Sequence, residues 1–325
     1  MKMIRQLAAV GTTLALLLTP QAISAQQCCP PPDPCMDWCN FCGDWEFGAH
    51  ALVFNPTVCE FDFATTQNAN NRDAVSTVKC QLDWGFRVFG AYLSRCSFIG
   101  VSYQWYESKV ADSLTGTQLV SRQNDTVNRV KANLRLEYQN VDVRWGKFLH
   151  RTCGCAFYLY GNARWVDLKY RRTVQGATTA GFVRTFTQRS KLQGGAVGVG
   201  AGADFDLWCD IGIFGDLNLL GVIAERSTRD TQTLIASAGA TPATVQFRYG
   251  SDTCINPELD FRLGLNYTYT CGCWTFVGEV GYELDYFWEA FAFSNFNAQT
   301  GPFSTFRTCE DVGFSGLFFG GRVLF

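Results

Sequence analysis

The chain has 325 residues, and its 27 Lys+Arg against 29 Asp+Glu leave a net charge of −2. That balance excludes a partner gripped through phosphate electrostatics, so no nucleic acid is expected. Charged residues make up 17% against roughly 25% in soluble domains, aromatics reach 15%, and 15 cysteines do not suit a reduced cytosol.

The first 25 residues read as a secretory signal peptide. Lys2 and Arg5 precede an apolar stretch from Leu7 to Leu18, and Ile23-Ser24-Ala25 supply small residues for cleavage. Gln26 and Gln27 stand before Cys28, where a lipoprotein would carry small residues. Residues 26–43 form a Cys/Pro-rich segment, expected in the periplasm, whose prolines exclude helix and central strand. No later run of 18 apolar residues exists, which excludes an inner-membrane helical protein.

From residue 44 to 325 the dominant period is two, the period of strands. Leu82, Trp84, Phe86 and Val88 alternate with polar or small residues, as do Ile99, Val101, Tyr103 and Trp105. Val130, Ala132, Leu134, Leu136 and Tyr138 alternate with Arg129, Lys131, Asn133, Arg135 and Glu137. Leu259 to Tyr267 and Trp274 to Tyr286 repeat the pattern. The segments expected as strands are 45–54, 80–93, 97–109, 126–148, 155–171, 188–206, 209–225, 247–268, 273–289 and 309–325. A phase break between Tyr138 and Val141 predicts a bulge in the fourth.

A β-sandwich also alternates, but these strands are long and short connections take turns with long polar ones around 55–79, 110–126, 172–189, 227–247 and 290–307. That rhythm, with Trp and Tyr near strand ends, predicts an all-β transmembrane antiparallel up-and-down β-barrel of about 10–12 strands with both termini periplasmic. The chain ends on Gly320-Gly321-Arg322-Val323-Leu324-Phe325. Gly320, Val323 and Phe325 fit the signal read by the barrel-assembly machinery, although Phe319 replaces the usual polar residue. Outer-membrane lipid and that machinery are the expected partners.

Eleven cysteines fall on the expected periplasmic side: Cys28, Cys29, Cys35, Cys39, Cys42, Cys96, Cys153, Cys155, Cys209, Cys271 and Cys273. Disulfides are expected among them, or as cross-links to further copies and other Cys-rich envelope proteins. A four-thiolate zinc site lacks a second pair at short spacing, and a thioredoxin-like site lacks its βαβ context. No metal and no cofactor are expected.

Several lookalikes for chemistry dissolve in context. Gly198-Val199-Gly200-Ala201-Gly202-Ala203 mimics a dinucleotide fingerprint but sits inside an alternating strand. Ser76-Thr77-Val78-Lys79 lacks the companions of a Ser-x-x-Lys nucleophile. His50 and His150 are the only histidines, and Asp204 and Asp206 read as solvated acids near a strand end. An enzyme is not expected, with an outer-membrane hydrolase as a remote alternative. With the apolar set facing lipid, Arg129, Lys131, Arg135, Arg144 and Arg164 face inward on one sector. Asp204, Asp206, Asp210, Asp216, Glu258, Asp260, Glu279, Glu283 and Asp285 face inward on another, with Arg262 among them. Of these, Arg129, Lys131, Arg135, Arg164, Glu258, Asp260, Arg262, Glu279, Glu283 and Asp285 are expected to line a pore.

The stretch Tyr138-Gln139-Asn140-Val141-Asp142-Val143-Arg144-Trp145-Gly146-Lys147, followed by Tyr158 to Asp167, resembles the central region of the Legionella-type pore-forming major outer-membrane proteins. Trp84 to Val88, Phe205 to Leu220 and the last strand fit the same family. The cysteines depart from it and are similar to those of chlamydial major outer-membrane proteins, whose envelopes are disulfide cross-linked. The resemblance implies a porin-like outer-membrane protein for passive diffusion of small hydrophilic solutes, with a disulfide-linked structural role. The alternative is a structural or adhesive barrel with a closed lumen.

Overall fold

Phe, Tyr, Trp, Val and Thr favour extended backbone, and period-two patterning gives each strand two chemically different faces. In the computed structural model these segments pair into one antiparallel sheet. It describes residues 44–325 except 59–60, 67–73, 79–80, 95, 122–125, 152–153, 179–180, 209, 236–240 and 297–304, so the expected signal peptide and Cys/Pro segment lie outside the described residues.

The strands are β1 (Asp44–Val58), β2 (Phe61–Thr66), β3 (Ala74–Val78), β4 (Asp83–Leu93), β5 (Ser97–Ser121) and β6 (Thr126–Arg151). Then come β7 (Cys155–Ala177), β8 (Val183–Trp208), β9 (Ile211–Ile235), β10 (Ala243–Cys271), β11 (Trp274–Phe296) and β12 (Thr305–Leu324). Ten of them close a ring in the order β1, β4, β5, β6 and so on to β12, which returns to β1 from Glu46↔Leu324 to Val58↔Val312. β2 and β3 form a hairpin laid on the far end of β5 at Ala64–Thr66. Trp45 and Phe325 exchange both backbone hydrogen bonds at 3.1 Å, so the last residue is stitched to the first strand.

Between consecutive strands of the ring, the connections of two or three residues all lie at one end, joining β4 to β5, β6 to β7, β8 to β9 and β10 to β11. At the far end the structure corrects the sequence expectation. Most of segments 110–126, 172–189, 227–247 and 290–307 are strand continuations, with β6 and β10 reaching 26 and 29 residues. A strand of 23 residues such as β7 rises roughly 55–60 Å at a tilt near 40°. An apolar band is only about 25 Å tall. More than half of the wall therefore stands outside any membrane.

The expected bulge between Tyr138 and Val141 is absent. Residues Tyr138 to Val141 pair without interruption with Tyr106 to Tyr103 on one side and with Leu168 to Trp165 on the other. The irregularities of β6 toward its neighbours fall elsewhere, against Thr115/Leu119 of β5 and between Phe148 and His150. What changes at Tyr138 is chemistry. Towards the short-turn end the exterior is apolar (Val141, Val143, Trp145) and the interior polar (Asn140, Asp142, Arg144). Towards the far end Leu134, Leu136 and Tyr138 are buried inside while Arg135 faces out. β7 changes between Trp165 and Asp167, and β9 between Ile223 and Glu225. Trp105 and Trp165 stand at this boundary, while Trp45, Trp145 and Trp274 ring the short-turn end, the two girdles of a membrane band.

Candidate functional site: the lumen

Two layers fill the barrel. In the far half, aromatic and aliphatic side chains from opposite walls meet on the axis. Tyr138 of β6 stacks on Phe314 of β12 with ring centroids 4.7 Å apart, Tyr170 of β7 meets Phe291 of β11 at 5.3 Å, and Tyr106 of β5 meets Phe314 at 5.5 Å. Tyr106, Tyr138, Phe287, Phe291 and Phe314 are fully buried. Ten strands leave more width than eight, and large rings close it.

Beneath this layer, in the membrane half, the interior is charged. Arg164 on β7 lies 2.7 Å from Asp260 and 3.3 Å from Asp142, and also pairs with Glu258 across the lumen. Arg144 on β6 binds Asp142 at 2.7 Å and approaches Asp216 at 3.4 Å, which Arg262 also approaches at 3.4 Å. Tyr160 donates its hydroxyl to Asp216 at 2.6 Å. Arg87 on β4 grips both oxygens of Glu283 and donates to Gln104, whose amide donates to Asp285 at 3.3 Å. Nearer the short-turn end His50 contacts Glu279 at 2.7 Å, and Arg322 bridges Glu279 and Glu46 at 3.2 and 3.4 Å. A buried ion pair contributes little net stability while whole, yet losing one partner strands a charge at a cost of about 3–5 kcal/mol.

The glycines of the mimic fingerprint serve this layer. A Cβ on Gly200 would sit 2.2 Å from the Tyr160 ring, and one on Gly202 2.2 Å from the Tyr158 ring. Those residues are bare so that two tyrosines can lie flat on β8 and direct their hydroxyls toward Asp216, as the distances of 2.6 and 3.4 Å show. A cavity of about 400 Å³ lies between the ion pairs and the short-turn end, with Glu46, Arg144, Asp204, Asp206, Asp210 and Arg322 on its wall.

The structure brings Arg164, Glu258, Asp260, Arg262, Glu279, Glu283 and Asp285 into this interior. It places Arg129, Lys131 and Arg135 elsewhere: all three face outward in the far half, where Arg135 pairs with Glu107 at 2.6 Å and Glu137 at 2.5 Å. The expectation assumed that apolar residues face lipid along the whole of β6. Above the membrane band those residues form the core, so the basic set is turned to water. Nor do acids and bases occupy separate sectors, because Arg144 and Arg164 meet their acids across the lumen.

Sequence reasoning missed Arg87, Gln104, Asn218 and the His50–Glu279 pair. The signal available was the parity of the apolar set, even-numbered from Val130 to Tyr138 and odd-numbered from Val141 to Trp145. Gly320, Val323 and Phe325 lie on the closing strand and its last residue; Phe325 packs on Phe47 and Trp274 at 6.0 and 4.8 Å. Among the cysteine candidates, Cys96, Cys271 and Cys273 are exposed thiols at the short-turn end, where half-buried Cys155 also sits. No disulfide joins two cysteines among the described residues. Cys28, Cys29, Cys35, Cys39, Cys42, Cys153 and Cys209 lie outside them.

Comparison with known proteins agrees with this architecture. Residues 39–325 match the family model described as the Legionella pneumophila major outer membrane protein precursor. The chain belongs to that family. It is an outer-membrane β-barrel, which makes the short-turn end periplasmic and the far half extracellular. No curated protein matches it. Among solved structures, the outer membrane protease OmpT of Escherichia coli is 8% identical with a TM-score of 0.45, covering 87% of this chain and 96% of that one. The Pseudomonas putida toluene transporter TodX is 9% identical with a TM-score of 0.30, covering 87% and 89%. A Pseudomonas aeruginosa FadL homologue is 6% identical with a TM-score of 0.26, covering 87% and 90%. Identities this low carry no activity across from those proteins.

Proposed function

We propose that this barrel is porin-like: its charged lumen admits small hydrophilic solutes passively from the periplasmic mouth, and the extracellular aromatic layer is its gate. The observation that carries the reading is the polar lining of the membrane half. Among the described residues Asn162 and Asn218, although buried, find no partner for either amide atom, and Glu258, Asp260 and Asp285 each keep one such oxygen. Such atoms call for water or solute as their partner, which a polar lumen supplies. Apolar constrictions gate pores by shedding water, which suits the Tyr138–Phe314 stack. The periplasmic rim cysteines support a second, structural role through disulfides to other copies or other envelope proteins.

A closed structural barrel is the second reading, favoured by the same aromatic layer. Planar-bilayer recordings separate the two. Wild type should conduct rarely and in brief openings, and a Tyr138→Ser, Phe314→Ser double variant should conduct for longer. A double variant that still shows heat-modifiable mobility yet never conducts would reject the pore and leave the closed barrel.

A further inference from the structure

Asp260 of β10 and Asp285 of β11 are directly opposite each other across the strand pair, and both point into the lumen with 2% and 1% exposure. Like charges in direct opposition destabilise a sheet even at its surface, and burial removes the water that would screen them. The surrounding bases do not resolve the conflict. Arg164 takes Asp260 Oδ2 at 2.7 Å and Arg87 takes both oxygens of Glu283. Among the described residues Asp285 receives only the neutral Gln104 amide, and Oδ1 of both aspartates has no hydrogen-bond donor.

A separate observation points into the same space. Asn218 of β9 is the register neighbour of Asp260 on its other side. It is fully buried with both amide atoms unpartnered among the described residues, and its neighbour on β8 is Gly200, which brings no side chain to satisfy it. The charge inventory of this layer leaves a defined deficit. Among the described residues this layer sets six carboxylates, Asp142, Asp216, Glu258, Asp260, Glu283 and Asp285, against four guanidiniums, those of Arg87, Arg144, Arg164 and Arg262, which pair with all of them except Asp285. Two positive charges would balance it.

We propose that Asp260, Glu283 and Asp285 hold one divalent cation, Ca²⁺ or Mg²⁺, with the Asn218 side chain beside it, directly beneath the aromatic layer. One oxygen from each carboxylate lies within 4.8 Å of the others. Oxygens bound to a common Ca²⁺ at about 2.4 Å are separated by no more than about 5 Å, so the spacing fits. An all-oxygen donor set selects a hard cation over zinc or copper. Asp285 is the next inward residue below Phe287 on β11 and pairs in register with Phe314, so the ion would tie β10 and β11 where the gate rests. The site does not depend on conduction.

The test uses full-length barrel refolded in detergent, free of lipopolysaccharide and stripped with EDTA. Equilibrium dialysis against Ca²⁺ or Mg²⁺ should find about one ion per chain. Asp285→Asn should weaken binding by about tenfold or more, whereas Asp206→Asn at the exposed rim should not change it. The heat-modifiability midpoint should rise with the ion in wild type and stay fixed in Asp285→Asn. If Asp285→Asn does not fold, Asn218→Ala serves as the second variant and should also weaken binding. Wild type that binds neither ion, or variants that bind as wild type does, would overturn the site. So would a barrel stabilised by acid but not by cations, which would mean that the two aspartates share a proton.

Discussion

The membrane half and the extracellular half share ten walls, and along β6 and β7 their chemistry is largely inverted. On β8 and β9 the extracellular interior keeps buried polar groups such as Gln188, Ser190, Thr228 and Asp230. Along β7, Leu159, Ala163 and Trp165 face out while Tyr160, Asn162 and Arg164 face in; eight residues further on, Lys169 and Arg171 face out while Leu168, Tyr170 and Val174 face in. The backbone register runs through the change unaltered. Strand pairing is therefore indifferent to which face is apolar, and the solvent on the outside decides. Lipid demands an apolar exterior and permits a polar lumen, whereas water permits a charged exterior and an apolar core. The extracellular half is a water-soluble β-barrel core standing on a membrane barrel.

That contrast is broken most severely from within. Arg164→Met leaves Asp142, Glu258 and Asp260 without their shared base and should cost about 3–5 kcal/mol. Arg129→Met, on the outward face of the extracellular half, should stay within about 0.5 kcal/mol of wild type. Urea titration of barrels refolded into lipid vesicles gives both numbers. Equal losses would mean that Arg129 also lies inside, and that the inversion is wrong.

The exterior offers a second test. Val199 sits in the lipid-facing band of β8, 68% exposed, and Val199→Arg should cost about 2–4 kcal/mol in vesicles. Gln175, exposed on the extracellular half of β7, should accept Arg with a change under about 0.5 kcal/mol. A large penalty at Gln175 would extend the membrane over the upper wall.

The ten barrel strands, the closing C-terminal one among them, were legible because period two survives whichever face is apolar. Strand starts expected at residues 97, 126 and 155 coincide with those of β5, β6 and β7. Strand ends were not legible: the segment after residue 171 carries outward Arg171, Thr173 and Gln175 and looks like a polar loop, although Arg172, Val174 and Gly176 are packed inside. Of the lumen, the acids of β10 and β11 were readable from their strands alone. The pairing His50–Glu279 joins residues 229 apart in sequence, and Arg87–Glu283 joins residues 196 apart. Only barrel closure brings them together, so no local pattern could announce them.

The finest distinction lies on the outer surface just above the band. Burial alone would push the Glu107 carboxyl up, but Lys109 at 2.9 Å and Arg135 at 2.6 Å outweigh it and hold the group below the usual carboxylate range. A carboxyl lowered by folding contributes stability above its unfolded pKa and loses that contribution as pH falls through its folded one. Exposed pairs of this kind are worth about 0.2–1 kcal/mol and are screened by salt. Glu107→Gln should therefore be slightly less stable than wild type at pH 7 and low salt. The gap should narrow as the pH falls through the carboxylate range or as salt is added. A gap that persists in acid would show that Glu107 acts through packing, and that this stretch of β5 is not the water-facing surface its charges mark.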